Sequence, residues 1–327
     1  MKRSITIACI LLLAVSGAFA QQLEDFETAF QDFAGDMAAT LAVNSTIGSN
    51  WSDAYIGGFP HFGAGLAVGA AFVNADSAKT IFDALDLTLP AELESLGVPI
   101  PAAVATAKIG IPFLPIDVGV KAGYIPASVG EAINASSGMS VDYTNIGIQV
   151  RYAVIKQNVI LPNISIGASY NYQKGSLKAP SGIGPQTFTI ATNEGDTEIY
   201  VSDPEVSLGW SSNVFDVTLQ ASKKFLFIIP YLGAGYTFGS SKVDGGIAST
   251  VGTNYSTDIT GLNAWSAANG GPTISDQGFT YTVDATKPVF RVYGGLSLRI
   301  LVDLDLQAMY VPATKSLGAS ATLRFQL

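Results

Sequence analysis

Three stretches at the end of the chain alternate apolar and polar residues with a period of two. In "FRVYGGLSLRI", Phe290, Val292, Gly294, Leu296, Leu298 and Ile300 share one face, and Arg291, Tyr293, Ser297 and Arg299 share the other. In "VDLDLQAMY", Val302, Leu304, Leu306, Ala308 and Tyr310 oppose Asp303, Asp305 and Gln307. In "SLGASATLRFQL", Leu317, Ala319, Ala321, Leu323, Phe325 and Leu327 oppose Gly318, Ser320, Thr322, Arg324 and Gln326. This period is that of a β-strand with two different environments. Charges fall almost only on one of the two faces.

The same pattern recurs upstream, at 61–73, 115–124, 144–154, 163–172, 197–210, 215–222 and 227–239. Arg151 falls on the polar face of its stretch, and the 197–210 stretch is interrupted at Asp203-Pro204. These are ten firm strands; weaker ones near 186–192 and 278–284 bring the expected number to about twelve, within a range of 10–14. Residues 22–43 follow another period. Leu23, Phe26, Phe30, Phe33, Met37 and Leu41 recur every three or four residues, which predicts an amphipathic helix. Acidic residues crowd its first turns, where a helix dipole favours them. The segments 74–114 and 239–278 lack clear alternation and read as long loops.

Composition decides which solvent the apolar faces meet. Mean hydropathy is +0.34, and 13% of residues are charged, against about 25% in soluble domains. Beyond the first twenty residues no apolar run approaches the ~20 residues of a membrane-spanning helix. A transmembrane β-barrel reconciles these facts, because only alternate residues face lipid and closure pairs every backbone polar group. A secreted β-sandwich also alternates, but would carry more surface charge. Tyrosines near strand ends, among them Tyr124, Tyr152, Tyr170, Tyr236 and Tyr310, resemble an aromatic girdle.

The expected organisation is therefore all-β: a signal peptide over 1–20, a helix or plug region over 21–58, and an antiparallel transmembrane barrel over 59–327. The leader "MKRSITIACILLLAVSGAFA" has a basic head, an apolar core and a small-x-small end. It directs export, with the outer membrane as destination and the lipid bilayer as partner. The helix either plugs the barrel from the periplasmic side or lies on the membrane interface; its acidity disfavours an anionic surface. An even strand number is expected. Counting back from a periplasmic C-terminus puts 126–142 and 174–196 on the periplasmic side, although both are long for that side.

The only cysteine, Cys9, lies in the leader. Without it, zinc-thiolate and iron–sulfur sites lack ligands, and no cofactor is expected. Loss of Lys2 and Arg3 leaves 15 basic against 26 acidic residues, net −11, which argues against nucleic acid as a partner. His61 is the single histidine and reads as a strand-start residue making local hydrogen bonds. No nucleophile–base set or phosphate loop stands out, so no enzymatic activity is expected.

The stretches "SNWSDAYIGGFPHFG", "PIPAAVATAKIGIPFLPIDVGVKAGYIP" and "IIPYLGAGYTFG", with the preceding helix, resemble FadL-like outer-membrane proteins of spirochaetes. The resemblance implies a plugged barrel that passes long-chain fatty acids or other small hydrophobic molecules. The chain lacks the Asn-Pro-Ala that FadL proteins usually have at the end of the helix region, and is short for their fourteen strands. The candidate cargo-pocket residues are Phe26, Phe30 and Phe33. The candidate lumen charges are Arg151, Arg291, Arg299, Asp303, Asp305 and Arg324, with Arg291 and Arg299 expected beside Asp303 and Asp305. Such a ladder either sets selectivity or fills the interior. A surface-interaction or structural barrel is the alternative to transport, and the oligomeric state is open.

Overall fold

The structure is a computed structural model. It describes residues 28–327 except 58, 60, 85–90, 126–127, 129, 132–133, 136–139, 181–185, 193–194, 254–273, 276–277 and 286–287. The leader and Phe26 thus lie outside the described residues.

Helix α1 covers 28–44. Strand β1 (Phe62–Val73) follows, then α2 (Ala75–Ala84), α3 (Ala91–Leu96), β2 (Val98–Gly110), β3 (Ile116–Tyr124), β4 (Ser140–Ile155) and β5 (Asn163–Pro180). The remainder is β6 (Gln186–Thr192), β7 (Gly195–Ser222), β8 (Ile228–Thr253), β9 (Ile274–Ser275), β10 (Gly278–Ala285), β11 (Val289–Arg299), β12 (Asp303–Val311) and β13 (Ser316–Gln326).

Among the described residues, ten strands close a ring of antiparallel neighbours: β1, β2, β3, β4, β5, β7, β8, β11, β12 and β13, with β13 paired back onto β1. Closure leaves no open edge in the ring, the condition for a sheet in hydrocarbon. The expected number of about twelve is not reached. Both weak strands exist, as β6 and β10, but they pair with the protruding ends of β7 and β8 outside the ring. The stretches 197–210 and 215–222 are one strand, and Asp203-Pro204 lies within it. That dipeptide makes an irregularity within the 28-residue β7, where the register with β8 shifts between Ser202 and Glu205. The segment 74–114 holds α2, α3 and the whole of β2. The segment 239–278 begins with 15 residues of β8.

These two changes resolve the sidedness. Merging two strands into β7 moves 126–142 and 174–196 to the end that carries the long connections, and β2 restores the even number. The short turns 111–115, 156–162, 223–227 and 300–302 all lie at the other end.

The two faces of the wall differ as the alternation requires. Leu66, Ile148, Val217, Leu232, Leu306 and Leu323 point outward and are exposed. Lys108, Arg151, Gln220, Arg291 and Arg324 point inward and are buried. Apolar-out and polar-in is the arrangement of a barrel in lipid. Among the described residues no helix is long and apolar enough to cross a membrane.

Candidate functional site: the plugged lumen

Helix α1 lies inside the barrel, not on the membrane interface. Its start faces the long-loop end, and the chain then descends through the lumen over 45–57 to enter β1 at the short-turn end. The described part of the plug therefore occupies the barrel's length rather than capping its periplasmic mouth.

The long-loop half is apolar. Phe30, Phe33, Met37 and Leu41 of α1 pack against inward-facing Val73, Ile100, Trp210 and Val243. Phe30 and Phe33 are 2% and 5% exposed, so they fill this space rather than border an open pocket. A side-chain carbon at Gly245 would lie 2.2 Å from the Phe30 ring; glycine makes room for the plug. Further down, Ala39, Ala42, Val43 and Ile47 meet Val104, Tyr143, Tyr293 and Met309. The small residues of α1 let the helix sit close to the wall. Thr40 Oγ1 lies 3.2 Å from Ser316 Oγ, and Asn44 Nδ2 donates to the Ile100 carbonyl at 2.6 Å.

The turn that follows α1, residues 45–49, takes donors from the wall for its carbonyls. Lys121 Nζ donates to the carbonyls of Ser45 and, at 2.9 Å, Ile47. Lys108 Nζ donates to the Ser49 carbonyl at 2.7 Å. Cations at a helix C-terminus also complement its dipole. A gap of about 10 Å³ remains beside these lysines, the scale of a single water. Next along the chain, two cations lie against the Trp51 ring, Lys108 Nζ at 4.7 Å and the Arg324 guanidinium at 4.9 Å.

The short-turn half is charged. Arg151 holds Asp117, its register partner, through two nitrogens, with Nε at 3.0 Å from Oδ1. Its Nη1 donates to the Asp53 carbonyl at 2.9 Å. Arg299 joins Asp303 of the wall, at 2.8 Å, to Asp53 of the plug, at 3.0 Å. Arg324 lies 3.2 Å from Asp303 and 3.0 Å from Asp305. Ser52 Oγ donates to Asp305 at 2.7 Å, and Gln220 Nε2 donates to the Trp51 and Ser52 carbonyls.

Five of the six expected lumen charges thus form two linked groups around the plug. Arg291 does not join them. It pairs with Asp216 of β7 and takes Thr237 at 2.8 Å. The register explains this: Ser297 stands opposite Asp305, which places Arg291 six residues up the strand. Arg291 reaches across β8 over Gly235, where a side-chain carbon would lie 2.6 Å from its Nη1. Asp53, Asp117, Asp216, Lys108 and Lys121 were not among the expected site residues. Asp117 and Lys121 share the polar face of β3, a legible signal. Asp53 lies in an irregular stretch with none.

His61 stands at the start of β1, its ring Nε2 2.9 Å from Gln326 Nε2 and edge-on to Tyr55. Burial, with the Arg151 cation nearby, holds its pKa below the usual 6.5. Among the described residues no group of His, Cys, Asp and Glu is arranged to hold a metal.

No protein-family model matches the chain, and no curated protein matches it. Solved structures do. The outer membrane protease OmpT from Escherichia coli aligns at 8% identity and a TM-score of 0.41, covering 82% of this chain and 97% of that one. The transport unit of the autotransporter AIDA-I from Escherichia coli aligns at 10% identity and 0.31, covering 87% and 96%. The Ralstonia pickettii toluene transporter TbuX aligns at 9% identity and 0.28, covering 84% and 90%. At these scores neither family nor function follows from the likeness. The closed ring, its apolar exterior and its polar interior are by themselves the architecture of an outer-membrane barrel.

Proposed function

We propose that the protein is an outer-membrane transporter or channel for small hydrophobic molecules, long-chain fatty acids among them, with the N-terminal segment as a displaceable plug. The observation that carries this reading is the apolar lining of the long-loop half. Val73, Ile100, Trp210 and Val243 face the lumen there, where the interior of a water-filled porin is polar. The plug covers that lining with Phe30 and Phe33. An apolar cargo entering from the long-loop end would replace those contacts, while the charged half keeps the lower plug in place. Phe26, outside the described residues, is proposed for the same role on its spacing in the sequence alone. The FadL resemblance implies the same cargo class, although ten ring strands are fewer than that family's fourteen. The leader would be removed on export, the barrel would work without a cofactor, and it would not be catalytic.

A second reading has its own support. Strands β7 and β8 run for 28 and 26 residues, far beyond the roughly 9–11 that cross a membrane. Their protruding ends, with β6 and β10, offer a surface for an extracellular partner. Binding of a fluorescent fatty acid to the refolded protein, together with liposome-swelling rates, separates the two. Saturable fatty-acid binding supports transport. Absence of both binding and flux favours the interaction reading.

A further inference from the structure

The turns at the short end are unlike ordinary connections. Four of them, 111–115, 156–162, 223–227 and 300–302, present large apolar side chains outward. Phe113 is 103% exposed, Val159 95%, Leu301 88% and Leu226 85%. Two of these sit in the left-handed backbone region, Phe113 at φ 64° and Leu226 at φ 51°. Glycine or asparagine would take such positions at less cost. An apolar side chain is thus kept at the tip in spite of local strain.

The tips are held in place. Lys223 Nζ donates to the Val159 and Ile160 carbonyls at 2.9 and 3.0 Å. Gln157 exchanges two hydrogen bonds with the Lys224 backbone. Arg299 N donates to the Phe227 carbonyl at 2.8 Å. Three neighbouring turns therefore form one ordered apolar platform. Charge adds a further feature. The four turns contain Lys156, Lys223 and Lys224 and not a single carboxylate, in a chain of net charge −9.

Strand length says what covers the platform. Strands β11 and β12 have 11 and 9 residues. At about 3.3 Å per residue and roughly 40° tilt they rise about 23–28 Å, the height of the whole apolar band. The aromatic residues Phe290, Tyr310 and Tyr124 mark the long-loop edge of that band. Measured from there, the band ends where the strands end, so the turn tips lie at its lower boundary.

We propose that the short-turn face is a lipid-docking surface. Its apolar tips dip into the boundary between acyl chains and headgroups of the periplasmic leaflet, where Lys156 and Lys224 meet anionic phospholipid headgroups. This inference rests on the barrel alone and is independent of the cargo.

With Cys9 in the leader, single cysteines can be placed by Phe113→Cys, Leu226→Cys and Leu301→Cys and given a nitroxide. Lys315→Cys, in the turn at the opposite end, is the aqueous control. Each variant is reconstituted in vesicles of phosphatidylethanolamine and phosphatidylglycerol. Power-saturation spectra should show the three tip labels several-fold more accessible to oxygen than to a water-soluble nickel chelate, and the Lys315 label the reverse. Tip labels that behave like the control would overturn the proposal. So would labels shielded from both reagents, which would indicate a second copy or a protein partner. For the headgroups, spin-labelled phosphatidylglycerol should be enriched around the barrel at least twofold over spin-labelled phosphatidylcholine. The enrichment should vanish in K156Q/K224Q; equal enrichment in that variant would refute the headgroup contact.

Discussion

Arg299 of the wall and Asp53 of the plug are joined by an ion pair of 3.0 Å, and the same guanidinium holds Asp303 of the neighbouring strand at 2.8 Å. One side chain therefore ties the plug to two strands at once. D53N keeps the shape of the side chain and removes its charge. Arg299 retains Asp303, so the full cost of an abandoned buried charge does not arise. The expected loss is about 1–3 kcal/mol, read from urea unfolding in detergent. Single-channel recordings should show the same variant opening more often than the wild type.

Arg291 needs Gly235. Its guanidinium is fixed by Asp216 and Thr237 and would lie 2.6 Å from an added side-chain carbon. G235A should lower stability by about 1–3 kcal/mol, as overpacking does. Gly209 is a matched control, because its nearest neighbour would be 3.7 Å away. G209A should stay within roughly 0.5 kcal/mol of wild type. Unfolding curves of the two variants check the difference.

Trp51 is 2% exposed and has two cations against its ring. W51L removes both cation–π contacts and leaves space beside Lys108 and Arg324. A loss of about 2–4 kcal/mol is expected. W51F keeps an aromatic face and should lose less than half as much. Comparing the two variants separates ring electrostatics from volume.

His61 gives the fold a pH dependence at the barrel mouth. Its pKa in the folded state lies below the ordinary 6.5, so the unfolded chain takes up the proton first. The stabilisation is complete above pH 6.5 and declines as pH falls through the lowered folded value. Thermal unfolding between pH 8 and pH 5 should show this decline. H61Q should reduce it.

The legible part of this protein was its lipid-facing wall. Arg299, Asp303 and Arg324 stand on strands whose other faces are uniformly apolar, so their inward direction follows from the alternation. β2 was hidden for a physical reason. Its inward residues Ile100, Ala102 and Val104 face the apolar plug, while its outward face carries Pro99, Pro101 and alanines. Over 98–105 both faces are therefore apolar or small, and the period is lost until Thr106 and Lys108. β7 was read as two strands, 197–210 and 215–222, because Ser211-Ser212-Asn213 breaks the alternation between them, whereas the pairing with β8 runs through it. The partner of Arg291 lies two strands away, a distance that spacing along the chain does not encode. The role of Asp53 depends on the plug's path through the lumen.

The plug can be locked to the wall where Thr40 Oγ1 and Ser316 Oγ lie 3.2 Å apart. A T40C/S316C variant, expressed without residues 1–20 and so without Cys9, offers a reversible clamp. Uptake of a labelled long-chain fatty acid into proteoliposomes is the direct test. Displacement of the plug as the route of passage predicts that oxidation abolishes uptake and that reduction restores it to the wild-type rate. Equal uptake by the oxidised and reduced forms, with the disulfide verified, would contradict it.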